Sequence, residues 1–271
     1  MAFPAAHKVV LVTGANQGLG LGVIEVAGIK YPDNAYILCS RDLEKGQEAA
    51  AKLREQGVKA KVDIVQLEVT NDEQIAAVVQ HVEKTYGRLD VLVNNAGILR
   101  GALLREDAAP DVVRSVFAEV LDVHITSIAV LTTALAPLLR KATRPKVINV
   151  TSGLGSITNV LTPGRRMARL PAYGASKVGM NGLTAQLQAM ENDRAAAAPA
   201  DAEKTATNPR IRYFISNPGP MKTAFNNFFP MGKSPQQGAE SIVRLIGDDK
   251  GEYDDYMQWE FEEGVMRKVP W

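Results

Sequence analysis

At 271 residues and 29.3 kDa the chain suits one large α/β domain, and its 46% hydrophobic and 23% charged composition supports a full core. A formal net charge of +1 gives no global field that would steer the protein to nucleic acid or an anionic membrane. The single cysteine, Cys39, excludes an internal disulfide framework and suits a reducing compartment; no apolar run reads as a membrane span, and Met1 to His7 leave no room for a signal peptide, so a cytoplasmic protein is expected.

In chain order, Lys8 to Val12 is a β-branched strand ending at Thr13-Gly14, where a glycine-punctuated helix begins. Ala35 to Cys39 is a second strand, and Leu43 to Gln56 a helix closed by Gly57. Val62 to Leu67 makes a third strand. Thr70 to Glu73 has the pattern of a capping box, with Ile75, Val78, Val79 and Val82 following at helical spacing. Leu89 to Val93 is the fourth strand, and Asp111 to about Arg140 carries helical periodicity. Val147 to Val150 is a fifth strand, a helix containing Tyr173 runs to about Met190, and Ile211 to Ile215 is a sixth strand. Gln236 to Ile246 is a last helix, and Met257 to Phe261 is a candidate seventh strand. Alternating β and α segments imply parallel strands, right-handed crossovers and a Rossmann-type doubly wound sheet with helices on both faces. No repeat or composition break divides it, so residues 1–271 read as a single domain. Gly153 to Pro171 is a long link between strand and helix, and Asn192 to Pro209 reads as an Ala-rich, polar excursion.

The glycine turn Gly14-Ala15-Asn16-Gln17-Gly18-Leu19-Gly20 follows strand one and opens a helix. Such a turn lets the backbone approach a pyrophosphate at the positive helix N-terminus. Its spacing differs from G-x-G-x-x-G. Strand two ends Cys39-Ser40-Arg41-Asp42. Where NAD-binding folds place an acid, Ser40 is small and Arg41 can form paired hydrogen bonds to a phosphate, which favours NADP. Asp42 is better explained as the N-cap of the next helix. Asn94-Asn95-Ala96-Gly97, after strand four, is either a cofactor-side segment of small residues or a plain turn. Tyr173 and Lys177 lie one turn apart on one helix face. A phenol near pKa 10 is idle at neutral pH, and an ammonium one turn away is expected to lower it. No metal site is expected.

Taken in order, Thr13-Gly14-x-x-x-Gly18-x-Gly20, Asn94 to Gly97, Thr151-Ser152-Gly153-Leu154-Gly155, Tyr173-x-x-x-Lys177 and Pro218-Gly219-Pro220-Met221-Lys222-Thr223 resemble the short-chain dehydrogenase/reductase family, nearest its NADPH-dependent carbonyl-reductase-like members. The resemblance implies Tyr173 as catalytic acid/base, Lys177 as its tuning group and ribose ligand, and Ser152 as the donor that orients the substrate oxygen. It implies that Pro218 to Thr223, with Gly219 and Met221, line the nicotinamide side, Thr223 lying near the carboxamide. Glu68-Val69 stands where the family usually has Asp-Val against adenine, and Gln17 stands where NADP-dependent relatives often carry a basic residue. The family also expects Asn at position 124, where it helps hold a water that connects the lysine to bulk solvent. Here His124 either substitutes in that proton path, titrating near 6.5, or is a satisfied packing residue.

The link at about 153–171 exceeds the family's usual spacing. Its Arg165, Arg166 and Arg169 either attract an anionic substrate or form a solvated loop. Phe225, Phe228, Phe229, Pro230 and Met231 crowd a segment (about 220–235) that reads as an apolar lid over a bulky or aromatic carbonyl substrate, or as packing against the last helix. The function implied is NADPH-dependent reduction of a ketone or aldehyde to an alcohol by hydride transfer. The alternative is an NADP(H)-binding regulatory protein of the same fold. A homodimer or homotetramer is expected.

Overall fold

In the computed structural model, residues 7–100, 107–164, 167–197 and 209–271 are described. Strands β1 (Val9–Val12), β2 (Ala35–Ser40), β3 (Lys61–Gln66), β4 (Val91–Asn94), β5 (Lys146–Val150), β6 (Arg212–Asn217), β7 (Gln258–Glu262) and β8 (Val265–Val269) form one sheet. The order is β3-β2-β1-β4-β5-β6-β7-β8, parallel throughout except for the antiparallel β7–β8 pair. The chain winds outward from β1 in one direction and from β4 in the other. That reversal opens a crevice at the carboxyl ends of β1 and β4, where such sheets take their ligands.

Successive strand residues point to opposite faces, and the core divides accordingly. Val10, Val12, Tyr36 and Phe214 pack on α1 (Gly18–Lys30) and α8 (Pro235–Gly247), with Ile24, Ile242 and Ile246 fully buried between them. Val9, Leu11, Ile37, Cys39 and Leu92 face α3 (Asp72–Tyr86) and α5 (Ser127–Leu139), meeting Ile75, Val78, Leu131 and Leu135. Each such side chain contributes about 1.5–3 kcal/mol of transfer free energy. The remaining helices are α2 (Leu43–Glu55), α4 (Pro110–Leu121), α6 (Ile157–Leu161) and α7 (Pro171–Ala196).

The long helix expected from Asp111 to about Arg140 is present, while several other sequence expectations need correction. Helices α4 and α5 are continuous through a π-helical turn, Asp122–Thr126. The resulting helix Pro110–Leu139 is long and apolar enough to cross a membrane by length and composition, which the sequence reading did not anticipate. Its apolar residues are explained by packing, since Leu131, Leu135 and Leu138 are buried against the sheet side of α3. The hairpin strand β8 was not expected. Its two-residue turn, Glu263-Gly264, has both φ values positive (49° and 83°), the geometry that matches strand twist. The excursion expected from Asn192 starts later, because α7 continues to Ala196; residues 198–208 lie outside the described residues. Asp42 does cap α2, accepting from Lys45 N at 3.1 Å.

The cap of α3 shifts by one residue. Asn71 is the N-cap, accepting from Gln74 N at 2.9 Å, and Gln74 Oε1 reaches back to Glu68 N at 2.6 Å. Asn71→Ala should therefore lower stability by about 1 kcal/mol, whereas Thr70→Ala should be near neutral. Urea unfolding midpoints of the two variants decide between the caps.

Candidate active site

The turn after β1 is locked to the turn after β4. Thr13 Oγ1 accepts from the backbone N–H of both Asn95 and Ala96 at 2.9 Å, and Asn95 Nδ2 donates to Thr13 O (2.8 Å) and Gly14 O (3.2 Å). Close approach requires the glycines. A Cβ on Gly14, whose φ is +61°, would lie 3.0 Å from Ala96 Cα, and one on Gly20 would lie 2.6 Å from Asn95 Nδ2. Thr13 is thus a shaping residue the sequence reading used only as part of a motif. Asn95, expected as a cofactor contact, commits its amide to the glycine turn.

Helix α1 starts without a side-chain cap from Gln17 and with no acid in its first turn. The first helical bond is made by Leu21 N to Gln17 O, and among the described residues the N–H groups of Gly18, Leu19 and Gly20 meet no acceptor. Orphan donors at a helix N-terminus fit an anion such as a pyrophosphate. Asn16 and Gly18 border this end, while the Leu19 side chain belongs to the core. Nearby, Arg41 is exposed and, among the described residues, its guanidinium makes no ion pair. Ser40 is fully buried, and its hydroxyl is committed to Asp42 O (2.6 Å) and Asp42 N (3.2 Å). Ser40 therefore shapes the turn that presents Arg41 and is not itself free to bind phosphate. Glu68 is half-buried and Val69 buried, at the end of β3 on the same edge.

Across the crevice, Ser152 stands at the end of β5 and caps the 3-10 turn Gly153–Gly155, accepting from Leu154 N at 3.2 Å. Its side chain is also near enough to the Tyr173 phenol to lower that group's pKa. Tyr173 and Lys177 are buried on α7, and Lys177 Nζ donates to Val150 O at 2.9 Å, 5.6 Å from the centre of the tyrosine ring. The expectation that the ammonium lowers the phenol's pKa is not met. Burial pushes Tyr173 up to about 12, offset only in part by Ser152. Burial also lowers Lys177 to about 7, so its own charge is weakened at neutral pH. A phenol that stays protonated suits proton donation.

The segment after β6 closes the site. Pro218 is buried, Gly219 takes φ +76°, and Met221 pairs with Lys233 through bonds from Lys222 N to Lys233 O and from Lys233 N to Pro220 O. Thr223 is buried, its Cγ2 3.7 Å from where a Cβ on Gly18 would lie, so this segment reaches the glycine turn. Beyond it, Phe225, Phe228, Phe229 and Met231 are 43%, 59%, 43% and 86% exposed, so much of the apolar surface of this segment is open. The Phe225 ring lies 6.0 Å from that of Tyr173. Asn227 and Phe228 hold φ values of 53° and 55°, a strained pair of left-handed residues. The 153–171 link contains α6, with Ile157 and Leu161 exposed and Thr158 bonded to Trp271 O. Arg169 is exposed and donates to Met167 O, whereas Arg165 and Arg166 lie outside the described residues.

His124 is fully buried on the π-helical turn, edge-on to Tyr173 with ring centres 5.5 Å apart. Its Nε2 accepts from Ile98 N at 3.0 Å, just past Gly97. A Cβ on Gly97 would lie 2.9 Å from the same nitrogen, which explains a glycine there. Ser176 Oγ donates to Tyr173 O at 2.7 Å, so His124 Nδ1 must be the donor in its 2.7 Å bond with Ser176 Oγ. One neutral tautomer satisfies both contacts. Burial, then the charge of Lys177, lowers its pKa to about 2. Of the two readings of His124, the hydrogen bonds and the lowered pKa favour the satisfied packing residue: with both nitrogens engaged, the ring ties the Gly97 loop to the catalytic helix.

Fold, glycine turn and the Ser152–Tyr173–Lys177 group define a nicotinamide-dependent oxidoreductase. Residues 8–228 match the short chain dehydrogenase family, and the chain belongs to it. It is 63% identical over 267 residues to a short-chain dehydrogenase/reductase of Aspergillus fumigatus, covering 98% of both chains. It is similar in fold to the NADPH-bound carbonyl reductase from chicken fatty liver (TM-score 0.76, 22% identity, 98% of this chain and 99% of that one). It is likewise similar to the alcohol dehydrogenase from Thermococcus sibiricus complexed with 5-hydroxy-NADP (TM-score 0.72, 20% identity, 98% and 100%).

The His124 geometry fixes the sign of a pH effect. A histidine in the unfolded chain takes a proton near 6.5, which the folded protein refuses until about 2. The unfolded state then binds more protons as pH falls below 6.5, and stability drops in that direction. Lowering the pH from 7.5 to 5.5 should remove about 1.4 kcal/mol through this group. His124→Asn should lose less stability than wild type over the same interval. Equal pH slopes in denaturant titrations of the two proteins would contradict the buried neutral ring.

Proposed function

We propose that the protein reduces a bulky or aromatic ketone or aldehyde to the alcohol, using NADPH. The observation that carries this reading is the Ser152–Tyr173–Lys177 group, with Ser152 half-buried at the end of β5 beside the buried Tyr173 and Lys177 and a phenol held protonated. Bound NADPH supplies the hydride. The orphan N–H groups of Gly18, Leu19 and Gly20 hold the pyrophosphate, and Arg41 holds the 2′-phosphate through charge-assisted hydrogen bonds. Glu68 and Val69 flank the adenine, and Ala96, Gly97 and Pro218 to Thr223 flank the nicotinamide end. Relatives of the same fold whose names carry NADPH or an NADP derivative agree with the choice of cofactor.

As negative charge grows on the substrate oxygen, Ser152 donates a hydrogen bond to it and Tyr173 transfers its phenolic proton. Lys177, anchored on Val150 O and only partly charged while the phenol is neutral, is drawn to its ammonium form once the phenolate appears beside it, because an adjacent anion favours the cation. Phe225, whose ring lies beside Tyr173, with Phe228 and Phe229 supplies apolar surface that excludes water around a large substrate. The buried Cys39 thiol and the reducing cofactor suit a cytoplasmic setting. Pairing of two copies through the long α4–α5 helix, where Val112 and Val130 are exposed, is the assembly we favour.

Following NADPH absorbance with a panel of aromatic and aliphatic carbonyls tests the reaction. Turnover should favour the aromatic members, and cofactor binding without turnover across the panel would count against the reading. Arg41→Ala should weaken NADPH binding by about 1–3 kcal/mol and leave NADH nearly unchanged. Equal losses for the two cofactors would remove the 2′-phosphate role.

A further inference from the structure

Behind Ser152 lies a polar cluster that the proposed chemistry does not use. Asn181 follows Lys177 by one helical turn, on the same face of α7, and is 1% exposed; Gln258, the first residue of β7, is 0% exposed. Asn181 Nδ2 donates to Gly155 O at 3.0 Å and to Gln258 Oε1 at 3.3 Å, and Gln258 Nε2 reaches Ser152 O at 3.5 Å. These contacts bracket both ends of the turn that presents the Ser152 hydroxyl, whose own closing bond is Gly155 N to Ser152 O at 2.8 Å.

The amide orientations are forced. Turning Asn181 over would set its oxygen against the carbonyl of Gly155, and turning Gln258 over would set its oxygen against that of Ser152. The turn also presses directly on α7. A Cβ on Gly155 would lie 2.7 Å from Thr151 Oγ1, 3.0 Å from Asn181 Nδ2 and 3.2 Å from Lys177 Cβ. Asn181 Oδ1 and Thr151 Oγ1 are buried and, among the described residues, have no partner. Apolar side chains of the same shape would remove those unmet groups but would take away the donors that the Gly155 and Ser152 carbonyls use, so the two amides are matched to the backbone of this turn. What the amides add is a fixed position for a turn whose other side is open to the crevice.

We propose that Asn181 and Gln258 are positioning residues: a buried amide pair that anchors the Ser152 turn to α7 and β7 and so sets the Ser152 hydroxyl against Tyr173. Gln258 pairs with Ile215 of β6 and Val269 of β8. The hairpin β7–β8 is thereby tied to the reaction centre, although none of its side chains faces the substrate in this scheme.

The proposal rests on the reductase reading, and the test separates the two. Gln258→Met and Asn181→Leu keep volume and remove the donors. Each is made in wild type and in Ser152→Ala, and kcat, NADPH affinity and thermal midpoint are measured. The expected result is a kcat loss of about tenfold with NADPH affinity within about twofold, because misplacement of a reacting group acts on turnover. In the Ser152→Ala background the same substitutions should cost less than about twofold, since the group they position is gone. A kcat within twofold of wild type, or losses that multiply in the Ser152→Ala background, would overturn the proposal. If one single variant does not fold, the other or the double apolar replacement carries the comparison. A crystal structure of Gln258→Met gives a reading independent of activity: the 152–155 turn should move by about 1 Å or more, and an unmoved turn refutes the clamp. Wild-type protein that reduces no carbonyl refutes the reductase reading instead, and the structural arm still decides the clamp.

Discussion

Helix α7 buries a polar face against the sheet, and the architecture of the site follows from how that face is satisfied. Along 26 residues, Tyr173, Ser176, Lys177, Asn181, Thr184, Gln188 and Glu191 are all buried. A buried polar group left unmet costs about 1–3 kcal/mol, so the helix can dock in one register only. Thr184 accepts from Asn149 of β5, Gln188 bonds Tyr213 N and Ile211 O at the start of β6, and Glu191 takes Arg140, Arg194 and Ile211 N. The far end of the helix is pinned by these contacts. The near end then holds Tyr173 and Lys177 over the ends of β4 and β5 with little freedom.

The same helix links the two halves of the crevice. Through Ser176 and His124 it reaches Ile98, at the edge of the segment locked to the glycine turn by Thr13 and Asn95. Through Asn181 it reaches the Ser152 turn. The nucleotide end and the proton-donating end are thus fixed relative to each other by short side-chain bonds, not by the sheet alone. The lid side differs. Phe228, exposed and in left-handed backbone, belongs to a segment secured mainly at its base by the Met221–Lys233 pairing. Rigid chemistry beside a less constrained apolar lip is an arrangement that can admit large substrates without disturbing the reacting groups.

Much of this was legible from residue order. The β-branched runs, the glycine turn and the Tyr173–Lys177 spacing each carry a local signal, and the strands and helices lie close to where those signals put them. What was hidden depends on tertiary contact. Edge strand β8 is short and carries Arg267 and Lys268, so only its Glu263-Gly264 turn announced it. The π-helical turn leaves no mark on apolar periodicity. The depth of burial at Tyr173 and Lys177, which reverses the expected pKa effect, cannot be read from a four-residue spacing. His124 shows the limit most clearly. Its residue type suggests titration near neutrality, and only the positions of Ile98 N and Ser176 Oγ reveal a ring with no nitrogen to spare. Ser40 and Asn95 were marked for the cofactor by position, but their side chains are committed to neighbouring backbone.

The central claim is that Tyr173 delivers the proton while the rest of the site holds cofactor and substrate. Single-turnover reduction under saturating NADPH, comparing wild type with Tyr173→Phe, addresses it directly. Loss of the phenolic proton should slow the hydride-transfer step by about 10²–10⁴-fold, the usual range for a general acid, with NADPH affinity retained. A Tyr173→Phe protein that reduces the substrate at the wild-type rate would contradict the account.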